Sequence, residues 1–282
     1  MENTCFYAVV VLYNTNVNES ITCQKILKIK NHNIKIIIAD NSTKKNNNDF
    51  LSKKMGFEYL SMNGNKGLSK AYNKVLDYLK NKDGIVIWFD DDTNVTQEYF
   101  DKLSNAVSKY SYIDIFAPII MGQDNKLWSP NHARFFKNKQ LRNIKENISD
   151  KEFNAINSCT AVRLNILRTY RYDERLFLDQ VDHSFYRDQR NKNRKFMKLD
   201  CVIHHNFSTK SRMDSYDALK NRYSIMIPDF LTYCSSDKKS QQLGYIKVIG
   251  WGVREGIKYK HPDFLLWCIK QANKWKRQGS ID

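Results

Sequence analysis

Apolar runs along this chain end repeatedly in short polar clusters. Phe6 to Leu12 is apolar and closes on Tyr13-Asn14, Ile34 to Ala39 closes on Asp40-Asn41-Ser42, and Ile85 to Phe89 closes on Asp90-Asp91-Asp92. β-Branched and aromatic residues that follow one another without polar alternation predict strands buried on both faces. Between the first two runs, residues 18 to 30 carry Ile21, Ile26, Leu27 and Ile29 and predict a helix. Strand, helix and strand make a βαβ unit, so the sheet is expected to be parallel with Asn14, Asp40 and Asp90 along one edge.

The polar stretch Thr43 to Asp49 reads as a surface loop without chemistry, and Phe57 to Met62 as a short strand. Asn63-Gly64-Asn65-Lys66-Gly67 makes a turn into the clearest helix of the chain, where Leu68, Ala71, Tyr72, Val75, Leu76 and Leu79 share one face. Lys66 and the first amides of that helix suit an anion, and they equally suit a plain strand-to-helix connection. The turn is neither a Gly-x-Gly-x-x-Gly nor a P-loop. Tyr99 to Tyr110 predicts a helix and Ile113 to Met121 a strand; residues 122 to 154 read loosely as a hairpin and an exposed loop, and residues 157 to 162 resume buried structure. Asp179 and Asp182, three apart, are expected to share a helix face with His183 and Arg187 nearby. Lys195 to Asn206 predicts a strand ending at His204-His205, and the chain from Asp214 is mostly helical.

The acidic triplet admits two readings. Three adjacent carboxylates at a buried strand end raise one another's pKa, which a divalent cation relieves; hard oxygen ligands suit Mg²⁺ or Mn²⁺. The plainer alternative is a solvated turn with Thr93 or Asn94 capping the next helix. The acids near residue 180 divide likewise between chemistry and helix capping.

The 282 residues fit a large α/β domain, 1–213, with a smaller helical region, 214–282. No apolar run approaches a membrane span and no signal peptide is recognised, so a cytoplasmic protein is expected. Six cysteines without a Cys-x-x-Cys pair read as reduced core residues. The net charge of +16 favours anionic partners: nucleic acid, lipid or phosphorylated substrates. With neither a Cys/His finger nor an RNA-binding aromatic motif, no nucleic-acid partner is expected.

In combination, residues 5 to 225 resemble an inverting glycosyltransferase of family 2 with the nucleotide-sugar-binding GT-A fold, most of all its rhamnosyltransferase-like branch. The resemblance implies a mostly parallel central sheet flanked by helices, a nucleotide-diphospho-sugar donor such as dTDP-rhamnose or a UDP-sugar, and a glycan or lipid-diphosphate-linked acceptor in surface polysaccharide synthesis. It implies nucleotide contacts from Tyr13, Asn14, Asp40, Asn41, Ser42, Asn65, Lys66, Gly67 and Asn73, with Asp90 and Asp91 near the ribose. Asp92 and His205, the latter followed by Asn206-Phe207-Ser208, would hold Mn²⁺ or Mg²⁺. Asp182, with Asp179 as the alternative, would be the general base, and Ser158, Cys159 and Arg187 would line the acceptor side. Cys159 stands where the family has glycine, and Arg187 is one residue nearer Asp182 than in the common pattern.

The C-terminal residues Phe264, Leu265, Trp267, Cys268, Ala272 and Trp275 recur at near-helical spacing among lysines. They suit packing on the catalytic domain, a homodimer contact, or the anionic inner face of the cell membrane. A sugar-nucleotide pyrophosphorylase and a non-catalytic scaffold are the rival functions; the first normally opens with an Arg-containing Gly-rich loop, which Val9 to Asn14 lacks.

Overall fold

The computed structural model describes residues 4–135, 138–205 and 215–278. They fall into two compact units, Met1–Tyr172 with Asp182–Phe207, and Asp173–Val181 with Ser208–Asp282. The boundary expected at residues 213–214 and the polar Asn206-Phe207-Ser208 lie outside the described residues.

In the first unit the chain runs β1 (Phe6–Leu12), α1 (Ile21–Ile26), β2 (Ile34–Asp40), α2 (Asn48–Lys54), β3 (Glu58–Ser61), α3 (Leu68–Tyr78) and β4 (Ile85–Asp90). Then follow α4 (Gln97–Lys109), β5 (Ile115–Gly122), β6 (Leu127–Ser129), β7 (Asn131–His132), β8 (Lys139–Gln140), β9 (Phe153–Asn154) and β10 (Ala161–Arg163). A short α5 (Leu164–Leu167), α6 (Val181–Asn191) and β11 (Phe196–His205) complete the series. The main sheet has the order β11-β5-β10-β4-β1-β2-β3, with β6 paired to β5, and β7 sits between β8 and β9 in a small second sheet.

The registers Leu12↔Asp40 and Val11↔Asp90 are parallel, so the polar endings of β1, β2 and β4 do share one sheet edge. The sheet is not wholly parallel, because β10 runs antiparallel between β4 and β5. Apolar runs without alternation are right for these strands: in β4 every residue from Ile85 to Phe89 is at most 1% exposed. Val10, Ile87 and Phe89 belong to one core cluster with Tyr99, Phe100 and Leu103 of α4.

Three expectations are corrected. The first helix spans only Ile21–Ile26, because the polar residues before it close a turn, Ser20 N–H to the Asn16 carbonyl at 3.1 Å, and Ser20 then caps the helix. Thr43 to Asp49 is not merely a loop: α2 begins within it, and Asn48 is fully buried. Residues 122 to 154 are likewise more than an exposed hairpin, since Asn131, His132, Leu141 and Phe153 are all buried.

In the second unit α7 (Tyr216–Cys234), α8 (Lys238–Tyr259) and α9 (Asp263–Gln278) pack on one another. The apolar face of α9 is spent inside this unit: Phe264, Cys268 and Ala272 are buried, and Trp275 Nε1 donates to Thr232 Oγ1 at 2.9 Å. On α8 an exposed aliphatic row is formed by Ile246, Ile249, Val253 and Ile257, and on α9 Leu266 is exposed as well. Among the described residues no helix is long and apolar enough to cross a membrane. Of the free cysteines, Cys5 is half-buried and the rest are buried.

Candidate active site

The acidic turn after β4 is held from beneath by the start of α1. Ser20 Oγ donates to the Asp91 carbonyl at 2.8 Å, and Thr22 Oγ1 donates to the Asp90 carbonyl at 2.5 Å while accepting from Thr93 N–H at 2.8 Å. These hydroxyls bind backbone about seventy residues away, a relation that no local motif announces. The helix after the turn is capped by Thr96, not by Thr93 or Asn94. Thr93 is fully buried, and its hydroxyl meets Ser158 Oγ at 3.0 Å.

Pinning the turn in this way brings three ligating side chains together. One ligand atom each from Asp90, Asp92 and His205 lies within 4.8 Å of the others. His205 ends β11 and is 8% exposed. Burial pushes the Asp90 carboxyl up to about 6, the Asp92 and Asp91 charges acting in the same direction against the pull of His205 and a hydrogen bond from Ser158. Burial also raises Asp91, and a hydrogen bond from Thr15 opposes it. Two carboxylates and one imidazole form a donor set for a small divalent cation, Mn²⁺ or Mg²⁺, and such an ion would offset the repulsion the acids now bear. The residues present fit the metal implied by the sequence pattern.

At the ends of β1 and β2, Asn14 adopts φ 58° and receives Thr43 and Lys44 N–H on Oδ1, both at 3.0 Å; its own N–H donates to Ser42 Oγ at 2.8 Å. Tyr13 beside it is exposed. Asp40 is 4% exposed and receives Ser42 N–H, Asn46 Nδ2, Asn48 Nδ2 and the Tyr59 hydroxyl at 3.0 to 3.2 Å. Burial pushes its carboxyl upward, yet these donors outweigh it and hold the group below its ordinary range. Asp40 therefore braces the strand end. Asn46 and Asn48, read from sequence as idle loop, do part of that work, and their signal would have been the helix start hidden inside an Asn-rich stretch.

Asn41 Oδ1 accepts from Lys66 N–H at 2.8 Å, and Asn65 Oδ1 from Gly67 N–H at 3.2 Å, so the turn before α3 folds against the end of β2. Gly67 sits at φ 89°, where a side chain is strained. Asn73 Nδ2 donates to the Tyr172 carbonyl at 3.0 Å and its Oδ1 accepts from Tyr172 N–H at 2.9 Å, which ties α3 to the chain before residue 173.

The acceptor-side candidates separate. Cys159 is buried at φ 64°, a conformation glycine takes freely, with its N–H on the Trp88 carbonyl at 2.8 Å and its carbonyl accepting from Tyr99 at 2.7 Å. Burial pushes its thiol well up. Ser158 faces Thr93 and Asp90 rather than open space. Arg187 is half-buried and donates to Ser184 at 3.3 Å.

Asp179 and Asp182 do not share a helix face. Gln180 at φ 63° breaks the chain direction, and α6 begins only at Val181. Asp179 belongs to the second unit, where Arg222 grips both of its oxygens at 2.5 Å. Asp182 opens α6 in the first unit; its Oδ1 accepts from His183 N–H at 2.7 Å. Burial raises the Tyr72 hydroxyl well above its usual range, and the charges of Asp90 and then Asp182 add to the effect.

This architecture recurs in solved structures. The first 349 residues of S. aureus TarS, determined with UDP, superpose with a TM-score of 0.53 at 12% identity over 85% of this chain and 68% of that one. The mannosyltransferase PcManGT of Pyrobaculum calidifontis, determined with GDP-Man and Mn²⁺, gives 0.53 at 11% identity over 98% and 75%. Glucosyl-3-phosphoglycerate synthase of Mycobacterium tuberculosis, determined with Mn²⁺, UDP and glucosyl-3-phosphoglycerate, gives 0.52 at 12% identity over 83% and 82%. At such identities the likeness concerns the fold alone, and that fold is GT-A.

Residues 7–171 match the family described as Glycosyl transferase family 2, and this chain belongs to that family. It is also 27% identical over 187 residues to the dTDP-rhamnosyl transferase RfbF of Shigella flexneri. That match takes in 64% of this chain and 61% of the relative's length.

Proposed function

We propose that this protein is an inverting glycosyltransferase that moves a sugar, in the first instance rhamnose from dTDP-rhamnose, onto a glycan or lipid-diphosphate-linked acceptor. The observation that carries this reading is the convergence of Asp90, Asp92 and His205 at the C-terminal ends of parallel strands, where an open α/β sheet binds its ligands. The 27% identity to a dTDP-rhamnosyl transferase supports the donor. Family membership favours transfer over the pyrophosphorylase and scaffold alternatives.

Asp90, Asp92 and His205 would hold Mn²⁺ or Mg²⁺, which would supply Lewis-acid neutralisation of a diphosphate's charge. The remaining chemistry belongs to side chains. Asp182 takes the proton of the acceptor hydroxyl, a role that typically contributes about 10² to 10⁴-fold. Oδ1 of Asp182 is engaged by the His183 amide, which leaves Oδ2 for that proton. Inversion follows from direct attack opposite the leaving diphosphate, and Cys159, buried with its thiol pushed up, is no nucleophile. Binding of dTDP should need Mn²⁺ or Mg²⁺ and should be lost in EDTA and in Asp92→Ala; equal binding without metal would remove this role.

The outer face of α8 supports a place at an anionic membrane surface. Ile246, Ile249, Val253 and Ile257 are exposed there, with exposed Lys238, Lys239, Lys258 and Lys260 near the helix ends. A second copy packed on this row would bring like charges together, whereas anionic headgroups complement them.

A further inference from the structure

Beside the proposed base runs a line of side-chain hydrogen bonds whose direction is fixed at one end. The Trp128 carbonyl can only accept, so Asn131 must present Nδ2 to it, at 2.9 Å. Asn131 Oδ1 therefore faces the other way and accepts from Asn154 Nδ2 at 3.0 Å. Asn154 in turn presents Oδ1 to His183 Nδ1 at 3.1 Å. An amide oxygen has no hydrogen to give, so Nδ1 must carry one, and neutral His183 then keeps its lone pair on Nε2. The two asparagines are cross-strand partners on β7 and β9, 7% and 2% exposed, so the chain of donors is shielded from water.

His183 follows Asp182 in the first turn of α6, and its Nδ1 stands 4.0 Å from Asp182 Oδ1. Its side chain is 26% exposed. With Nδ1 turned to buried Asn154, Nε2 is the ring nitrogen left for a ligand.

We propose that His183 is an acceptor-binding residue, its Nε2 accepting a hydrogen bond from the hydroxyl next to the one that gives its proton to Asp182. This rests on the proposed glycosyl transfer and adds to it the acceptor's chemical class, a sugar with two neighbouring free hydroxyls. The asparagine relay acts as a positioning device that keeps Nε2 an acceptor.

Long-range ¹H–¹⁵N spectra of the protein with Mg²⁺ and dTDP, titrated with methyl glycosides of rhamnose, glucose and galactose, test the tautomer and the contact together. A hydrogen on Nδ1, and an Nε2 signal that at least one glycoside moves, are expected. Kinetics with the best of these glycosides then separate roles. His183→Asn keeps a donor for Asn154 but has no atom at the place of Nε2, and should raise the acceptor KM roughly tenfold without raising the donor KM. His183→Gln, which reaches further and offers Oε1, should recover most of the loss. A hydrogen on Nε2, an Nε2 signal that no glycoside moves, or an unchanged acceptor KM in His183→Asn would overturn the proposal. Release of dTDP from dTDP-rhamnose by the wild-type protein in the presence of these glycosides keeps the two readings apart: no release with any of them counts against glycosyl transfer itself, whereas release together with any of those three results counts against His183 alone.

Discussion

Asp182 and Asp179 stand three residues apart, and the fold assigns them different work. Asp179 is held by a two-pronged Arg222, while Asp229 accepts the N–H groups of Phe177, Leu178 and Asp179 at 2.7 to 2.8 Å, so the segment before α6 is built on carboxylates. Asp182→Asn is expected to bind dTDP normally and lose transfer by about 10² to 10⁴-fold. Asp179→Asn should instead lower stability by about 1–3 kcal/mol, because Arg222 loses a charged partner. Nucleotide titration and urea unfolding of the two variants check this division, and a reversed pattern would make Asp179 the base. Asp40 gives a pH dependence. Its carboxyl is held below the ordinary value, so its contribution to stability is complete above the unfolded value of about 4 and is lost as pH falls through the lower folded one. Wild-type urea midpoints should therefore fall more between about pH 5 and 3 than those of Asp40→Asn. Parallel curves would show that Asp40 makes no such contribution.

At the scale of elements, the sequence was most legible where composition is uniform. Unbroken apolar runs identify β1, β2 and β4 because both faces of those strands are buried, and the ending of β4 points to Asp90 and Asp92 because charged groups seldom follow such a run without a task, while His205 stands at the end of the separate strand β11. Antiparallel β10 escaped notice, since three residues carry no period. The role of α1 was equally hidden: nothing in the sequence marks Ser20 and Thr22, and their partners are backbone carbonyls that only the folded sheet supplies. Thr22→Val keeps the shape and removes the hydroxyl that both donates to Asp90 and accepts from Thr93. It should cost about 1–3 kcal/mol by leaving those groups unpaired, and should weaken Mn²⁺ binding. Isothermal titration with Mn²⁺ at constant fold content checks this, and unchanged affinity would free the metal site from dependence on α1.

At the scale of the whole molecule, the apolar spacing in α9 was read correctly as a helix but could not reveal which surface it covers. Its aromatic side is consumed within the second unit, and the outward apolar row belongs to α8. Sedimentation with anionic but not neutral vesicles at low salt is expected, and it should be lost when Ile249 and Val253 are both replaced by Asp. A concentration-dependent dimer abolished by the same change, without vesicle binding, would assign the row to a second copy. The proposed enzyme depends on transfer chemistry at the β4 edge. Its most direct measurement is nucleoside diphosphate released from dTDP-rhamnose in Mn²⁺ and in excess EDTA. Release of dTDP that requires Mn²⁺ and disappears in Asp92→Ala is the expected result; release that persists in EDTA, or pyrophosphate chemistry in its place, would contradict it.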